Sequence, residues 1–146
     1  MSQPEKVALV TGSGAPRVGN VVARHLAALG YRLALHANTS TEDADQTAAD
    51  LRQGGAEVIV VQGAIDDADR VEGIVDEVVE EWGRIDVLVN SAAIWSPKRL
   101  EEVGAEDLRH YFDVNAVGTF VASRAAGLRR CRRTFQISFK STIRKP

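Results

Sequence analysis

Short apolar runs alternate with amphipathic stretches over most of the chain. Val7-Ala8-Leu9-Val10 is an unbroken apolar run that ends in Thr11-Gly12, the pattern of a strand buried on both faces. Val18, Val21, Val22, Leu26 and Leu29 then recur at helical spacing, with Gly30 where a helix C-cap belongs. Leu33-Ala34-Leu35 predicts a second strand. Ala44, Ala48 and Leu51 mark a weaker helix ending at Gly54-Gly55. Val58-Ile59-Val60-Val61 is a third strand, β-branched throughout.

The clearest helix follows. Val71, Ile74, Val75, Val78, Val79 and Trp82 form one apolar stripe, and Asp76, Glu77, Glu80 and Glu81 lie off it. Asp67 and Asp69 stand near its start, where negative charge suits the helix dipole, and Gly83 ends it. Ile85-Asp86-Val87-Leu88-Val89 predicts a fourth strand ending at Asn90, and a loop with Pro97 leads to a last helix from about Glu106 to Leu128. Strands alternating with helices imply right-handed crossovers and an α/β fold, a doubly wound parallel sheet. The first strand is expected centrally, beside the fourth. Ligands in such sheets bind at the carboxyl ends of the strands, where the strand order reverses.

Charge divides the chain in two. Residues 1–128 hold all 20 acidic residues and 11 of the 18 Lys and Arg, a net −9, whereas residues 129–146 carry seven basic residues and no acid, a net +7. That break predicts a boundary between an α/β unit, 1–128, and an atypical basic tail, 129–146. The arginines of the tail, with Phe135 and Phe139, also suit a nucleic-acid arm. No nucleic-acid module surrounds them and the body is acidic, so no nucleic-acid partner is expected. The single Cys131 excludes an internal disulfide. No apolar segment has the length of a signal core or a membrane span. A cytoplasmic location without membrane contact is the expectation, and no Cys/His spacing suggests a metal.

The candidate chemistry begins in Thr11-Gly12-Ser13-Gly14-Ala15-Pro16-Arg17-Val18-Gly19, between the first strand and the first helix. Glycine there allows positive φ and close backbone approach, and a helix N-terminus attracts phosphate. A tight connection using glycine for packing alone is the alternative. Two further segments join this one: Asn90-Ser91-Ala92-Ala93 after the fourth strand, and Asn115 in Phe112-Asp113-Val114-Asn115-Ala116-Val117-Gly118. Together, in this order and spacing, they resemble the short-chain dehydrogenase/reductase family. The pteridine-reductase-like and 3-oxoacyl-reductase-like members are nearest in style. The resemblance runs from about Lys6 to Leu128, roughly the first half of a typical member.

That resemblance implies a Rossmann-type sheet, truncated after the fourth strand and its long helix. It also implies a nicotinamide cofactor held by Gly12, Ser13, Gly14, Arg17, Val18, Gly19, Asn38, Thr39, Ser40, Ala64, Ile65, Asn90 and Ala92. Several positions depart from the family pattern. Six residues, not five, separate Gly12 from Gly19; Arg17 stands where a middle glycine is common; Ser91 and Ala93 replace Asn and Gly; Ala64 replaces a frequent carboxylate, with Asp66 close by. NAD sites commonly carry an acid about 20 residues past the glycine turn, but this chain has His36-Ala37-Asn38-Thr39-Ser40 and no acid before Glu42. NADP is therefore expected, with NAD as the alternative. Arg17 would face the 2′-phosphate, and Asn38, Thr39 and Ser40 would donate hydrogen bonds. Thr39 and Ser40 also suit an N-cap of the next helix.

The family's reaction is hydride transfer between the nicotinamide and a small carbonyl or alcohol substrate. By resemblance, Asn115 is the asparagine that supports a proton-relay water. A tyrosine with a lysine three or four places on carries the proton, because a phenol with pKa near 10 needs a nearby cation to act at neutral pH. No such pair is present: the two tyrosines are Tyr31 and Tyr111. Ser138 and Ser141 fall roughly where a catalytic serine belongs, in surroundings unlike the family's strand. The abrupt change of character near Leu128 suggests a reading-frame shift or a missing segment. Full-length members are expected to be homo-oligomers; a catalytically incompetent nucleotide-binding fragment is the alternative reading of this chain. His25, His110 and Tyr111 read as helix surface. His36 reads as either a cofactor contact or packing, and Trp95 as either pocket lining or a cap on the core.

Overall fold

The computed structural model describes residues 5–129; the rest of the basic tail, 130–146, with Cys131, Ser138 and Ser141, lies outside the described residues. Four strands, β1 Val7–Val10, β2 Arg32–Ala37, β3 Val58–Gln62 and β4 Val87–Val89, pair in parallel in the order β3-β2-β1-β4. The order reverses at β1, which lies between β2 and β4 as expected. Helices α1 Val18–Ala28, α2 Thr41–Gln53 and α3 Ala68–Trp82 make the crossovers.

Alternation along each strand builds a core on both faces of the sheet. Val7 and Leu9 of β1, Ala34 of β2 and Val61 of β3 meet Ile74, Val75 and Val78 of α3. On the opposite face Val10, Leu33, Leu35 and Val58 meet Ala23 of α1 and Ala48 of α2. All four residues of β1 are at most 1% exposed. Each fully buried Val or Leu contributes about 1.5–3 kcal/mol of hydrophobic stabilisation.

The helix ends follow from glycine. Gly30 (φ +81°) and Gly55 (φ +89°) occupy the left-handed position just past α1 and α2. At each end two backbone bonds close the last turn: Gly30 N–H donates to Ala27 and Tyr31 N–H to Leu26, and Gly55 N–H donates to Arg52 and Ala56 N–H to Leu51. Asp67 starts α3 by accepting the Arg70 N–H at 3.0 Å.

Two expectations need correction. The large residues of α1 do not form its buried stripe: Val18, Val21 and Leu29 are 74%, 68% and 62% exposed, while Gly19, Asn20 and Ala23 are buried. The helix lies so close to the glycine turn that only small or locally bonded residues fit its inner face. The fourth strand is shorter than its apolar run, because the Asp86 carboxylate turns back to accept the Val7 N–H at 2.8 Å. The last helix runs over the expected range, with one irregular stretch. Helix α4, Ala105–Phe112, passes into a π-helical segment, Asp113–Gly118, before regular helix resumes over 119–129. Widened turns of this kind often mark functional sites.

Both β3 and β4 are sheet edges within the described residues. Helix 119–129 is held against α3 by Arg124–Glu72 at 3.0 Å and by Arg129–Asp76 at 2.7 Å. Leu108, Phe112 and Phe120 remain 62–66% exposed. No helix among the described residues is long and apolar enough to cross a membrane.

Ile74→Ala removes a side chain 2% exposed and is expected to lower unfolding stability by about 2–5 kcal/mol. Val21→Ala, on the exposed side of α1, is expected to change it by no more than about 0.5 kcal/mol. Urea unfolding followed by circular dichroism measures both.

Candidate cofactor site

Parallel strands place all their carboxyl ends on one edge, so the loops after β1, β2, β3 and β4 converge there. They carry Gly12–Gly19, Asn38–Ser40, Ala64–Ile65 and Asn90–Ala92. The loop after β1 is fixed from both sides. Toward β4, Thr11 N–H donates to the Val89 carbonyl at 2.9 Å, and Thr11 Oγ1 accepts the N–H groups of Ser91 and Ala92 at 3.0 and 3.1 Å. Toward β2, His36 is 1% exposed and accepts the Gly12 N–H on Nδ1 at 3.1 Å; its Nε2 lies 2.9 Å from the Gly63 carbonyl. These two bonds together require the neutral Nε2–H tautomer. Burial pushes the ring's pKa below its ordinary value; the Gly63 carbonyl opposes that shift and Arg70 adds to it.

Within this frame the glycines are steric requirements. Gly12 has φ +63°, and a Cβ there would lie 2.7 Å from the Ala92 Cα. A Cβ on Gly14 would meet Ala37 and Ser40 at 2.9 Å, and one on Gly19 would meet the Gly12 carbonyl at 2.6 Å. Ser13 is fully buried. Its hydroxyl donates to the Val10 carbonyl and accepts the His36 N–H, and its own N–H donates to the His36 carbonyl. Ser13 thus shapes the turn, and its hydroxyl faces no ligand space.

Asn20 completes the support. Its Nδ2 donates to the Ser13 carbonyl at 3.0 Å and to Thr47 Oγ1 at 2.9 Å, while its Oδ1 accepts Arg24 Nε at 2.9 Å. Sequence reading missed Asn20 because attention fell on the valines. Its only signal was a polar residue directly after the last glycine of the turn. His36 was singled out, and the structure decides its role as packing: the ring braces the turn from below.

The first turn of α1 is open. Arg17 is its N-cap residue in extended conformation, no side chain caps it, and no acid lies in its first turn. Its N–H groups therefore keep the partial positive charge that favours an anion. Arg17 and Val18 are exposed at this opening, as are Asn38 and Thr39 nearby. Ser40 is the N-cap residue of α2, but its side chain makes no capping bond, which corrects the capping role expected for it and leaves its hydroxyl beside Gly14. Ile65 is 7% exposed, and its carbonyl lies where a Cβ on Gly118 would sit.

On the other side of the crevice, Asn90 Nδ2 donates to Ser123 Oγ at 3.0 Å. Asn115, in the π-helical segment, clasps the backbone of Ile94: Oδ1 accepts its N–H at 2.8 Å and Nδ2 donates to its carbonyl at 2.9 Å. The side chain of Asn115 is thereby committed to shaping the loop after β4. Trp95, next to Ile94, is 80% exposed. Tyr111 reaches the Ser96 carbonyl at 3.5 Å on this loop, whereas Tyr31 packs with Leu26 on the α1–α2 side of the sheet. No group of three potential metal ligands occurs among the described residues.

A parallel sheet that reverses order at β1, with a glycine turn feeding an open helix N-terminus at that point, is a doubly wound α/β architecture with its crevice at the carboxyl ends of the strands. A family model described as short chain dehydrogenase matches residues 6–136, so the chain belongs to the short-chain dehydrogenase family. The match continues past Leu128 into the basic tail. A 3-oxoacyl-[acyl-carrier-protein] reductase of Synechocystis is 34% identical over 120 residues, covering 82% of this chain and 48% of the relative. A short-chain dehydrogenase from Burkholderia cenocepacia, solved in complex with NADP, superposes with a TM-score of 0.80 at 33% identity, covering 86% of this chain and 51% of that one. A dehydrogenase/reductase from Sinorhizobium meliloti gives 0.81 at 34% identity, covering 86% and 50%. The chain spans about half the length of the curated relatives it matches.

Thr11→Val keeps the shape but removes the acceptor for two backbone N–H groups. It is expected to cost about 1–3 kcal/mol of stability, with Thr11→Ser retaining most of it. Gly12→Ala is expected to be the more damaging change, since both φ and space oppose it. Thermal unfolding of the three variants ranks them.

Proposed function

We propose that the chain is the cofactor-binding half of an NADP(H)-dependent oxidoreductase acting on a small carbonyl or alcohol compound. The observation that carries this reading is the turn Gly12–Gly19, whose glycines leave no room for a Cβ and which opens onto the uncapped N-terminus of α1. The pyrophosphate would lie on that helix end, near Val18 and Gly19. Arg17, with Asn38, Thr39 and Ser40, would hold the 2′-phosphate, and Ala64, Ile65, Asn90 and Ala92 would flank the adenine and nicotinamide ends. The NADP complex among the solved relatives supports the preference, as does the absence of any acid between His36 and Thr41. NAD(H) would bind the same crevice more weakly.

A bound nicotinamide supplies the hydride; this chain's residues bind and orient it. Asn115 fixes the loop after β4 and so the wall on the substrate side. Its side chain is committed to Ile94, and its backbone carbonyl accepts the Thr119 hydroxyl at 3.0 Å, so its part in the reaction would be to hold this wall in place. Proton transfer is the step without a residue: neither Tyr31 nor Tyr111 is followed by a lysine three or four places on. We therefore read residues 1–146 by themselves as binding the cofactor without turnover, in a soluble, cytoplasmic setting. Assembly of the whole protein into homo-oligomers fits the exposed Leu108, Phe112 and Phe120.

Isothermal titration is expected to give tighter binding of NADP(H) than of NAD(H). Arg17→Ala is expected to weaken NADP(H) by roughly ten- to hundredfold, the equivalent of a charge-assisted bond of about 1.5–3 kcal/mol, and to leave NAD(H) within about threefold. Equal losses for both cofactors would refute the role given to Arg17. Steady consumption of NADPH by this chain with any of a panel of ketones would refute the lack of turnover.

A further inference from the structure

His36 joins two loops of the cofactor crevice without reaching the crevice itself. Its ring is 1% exposed, so it cannot be a direct ligand. Both ring nitrogens are engaged: Nδ1 accepts from Gly12 at 3.1 Å, and Nε2–H donates to the Gly63 carbonyl at 2.9 Å. Gly12 is the residue on which the turn depends, with φ +63° and a backbone packed directly against Ala92. Gly63 opens the loop that carries Ala64 and Ile65. One neutral imidazole therefore holds the turn after β1 at a fixed spacing from the loop after β3.

We infer that His36 is a positioning residue whose neutral form holds the phosphate-binding turn in shape, so that uptake of one proton at Nδ1 releases Gly12 and weakens cofactor binding. This rests on the cofactor reading above. The proton balance is simple. Nδ1 has one lone pair, and in the structure that lone pair accepts the Gly12 N–H. A proton added there converts the acceptor into a donor, so two N–H groups face each other at the spacing of a hydrogen bond. The Nε2–H bond to Gly63 survives, so the ring stays anchored to β3 and the strain falls on the Gly12 side.

The surrounding groups oppose that protonation without forbidding it. Ser13 and the strand backbones of β1 and β2 offer only uncharged partners. From α3, the Arg70 guanidinium faces the ring with a like charge; it is itself held by the Gln62 carbonyl at 2.6 Å and by Glu77. Of the carboxylates on the β3–α3 connection, Asp67 caps α3 and Asp66 lies toward His110 at 3.8 Å. No carboxylate is hydrogen-bonded to the ring among the described residues. In the unfolded chain the ring protonates near 6.5, while burial holds it lower in the folded state. Folding stability therefore starts to fall below about pH 6.5, whereas the release of Gly12 within the folded chain follows the ring's own pKa, which lies lower. Above that window the imidazole is neutral and the turn is intact.

The test combines NMR of the cofactor-free chain with NADPH titrations from pH 8 to 5. In the free chain the Gly12 amide is expected to shift with the same midpoint as the His36 ring, while amides in the centre of β1 and α3 stay put. NADPH affinity is expected to be flat above the ring's titration and to fall below it toward tenfold per pH unit, the one-proton limit. His36→Asn can place its amide oxygen near Nδ1 and accept the Gly12 N–H without titrating. It is expected to bind NADPH with a flattened pH profile over the same range. A Gly12 amide that ignores the titration of His36 would overturn the proposal. So would an undiminished acid loss of affinity in a folded His36→Asn, or loss of all amide dispersion together with the ring's titration, which would make the proton a global rather than a local event. Should NADPH fail to bind at every pH, the cofactor reading falls, and the Gly12 amide still decides whether the clasp exists.

Discussion

The backbone of the turn after β1 has to lie within van der Waals contact of the loop after β4 and, at the same time, within hydrogen-bond reach of β2. Thr11 satisfies the first demand and His36 the second, and neither substitutes for the other. Thr11 carries the β1–β4 pairing one residue beyond the strands and gathers two further N–H groups. His36 takes the Gly12 N–H and passes the connection on to Gly63. Between these two fixed points only glycine fits at 12, 14 and 19. Helix α1 can then approach so closely that its inner face is Gly19, Asn20 and Ala23. The core on either face of the sheet supplies most of the stability, but this local geometry gives the sheet a mouth that an anion can enter.

Strands β1 and β3 and helix α3 were legible in the sequence because their signal is local: unbroken apolar runs, or an apolar stripe at helical period. The place of β1 between β2 and β4 is the one expected for a doubly wound sheet of alternating strands and helices. What was not legible depends on distance rather than pattern. The valines of α1 suggested the wrong buried face, since a helix packed against a glycine turn buries small residues and exposes its large ones. The π-helical segment Asp113–Gly118 left no trace in hydropathy; within it the Asn115 amide meets both backbone groups of Ile94, 21 residues earlier. Ser13 acts through the backbone of Val10 and His36, and Asn20 through the Ser13 carbonyl and Thr47, partners that no hydropathy pattern connects to them. The short β4 has a similar origin, in the reach of Asp86 back to Val7.

The same geometry separates the binding of a cofactor from its use. The residues of the crevice come from four loops, all within the half of the family's length that this chain spans, and they hold one another in place. Asn115 and Trp95 shape the beginning of a substrate wall. In the proposed reading neither tyrosine is the proton donor: Tyr111 reaches the loop after β4 and Tyr31 packs on the α1–α2 side. Family membership and catalytic competence thus rest on different residues.

The most direct measurement is amide chemical-shift mapping of the isotopically labelled chain with NADPH at pH 7.5. The account expects large perturbations confined to the loops at the carboxyl ends of the strands, centred on Gly12–Gly19 and Asn38–Ser40 with smaller ones at Ala64–Ile65 and Asn90–Ala92. Saturating NADPH that leaves Gly12–Gly19 unperturbed, or that perturbs the opposite edge of the sheet around Gly30 and Gly55 instead, would contradict it.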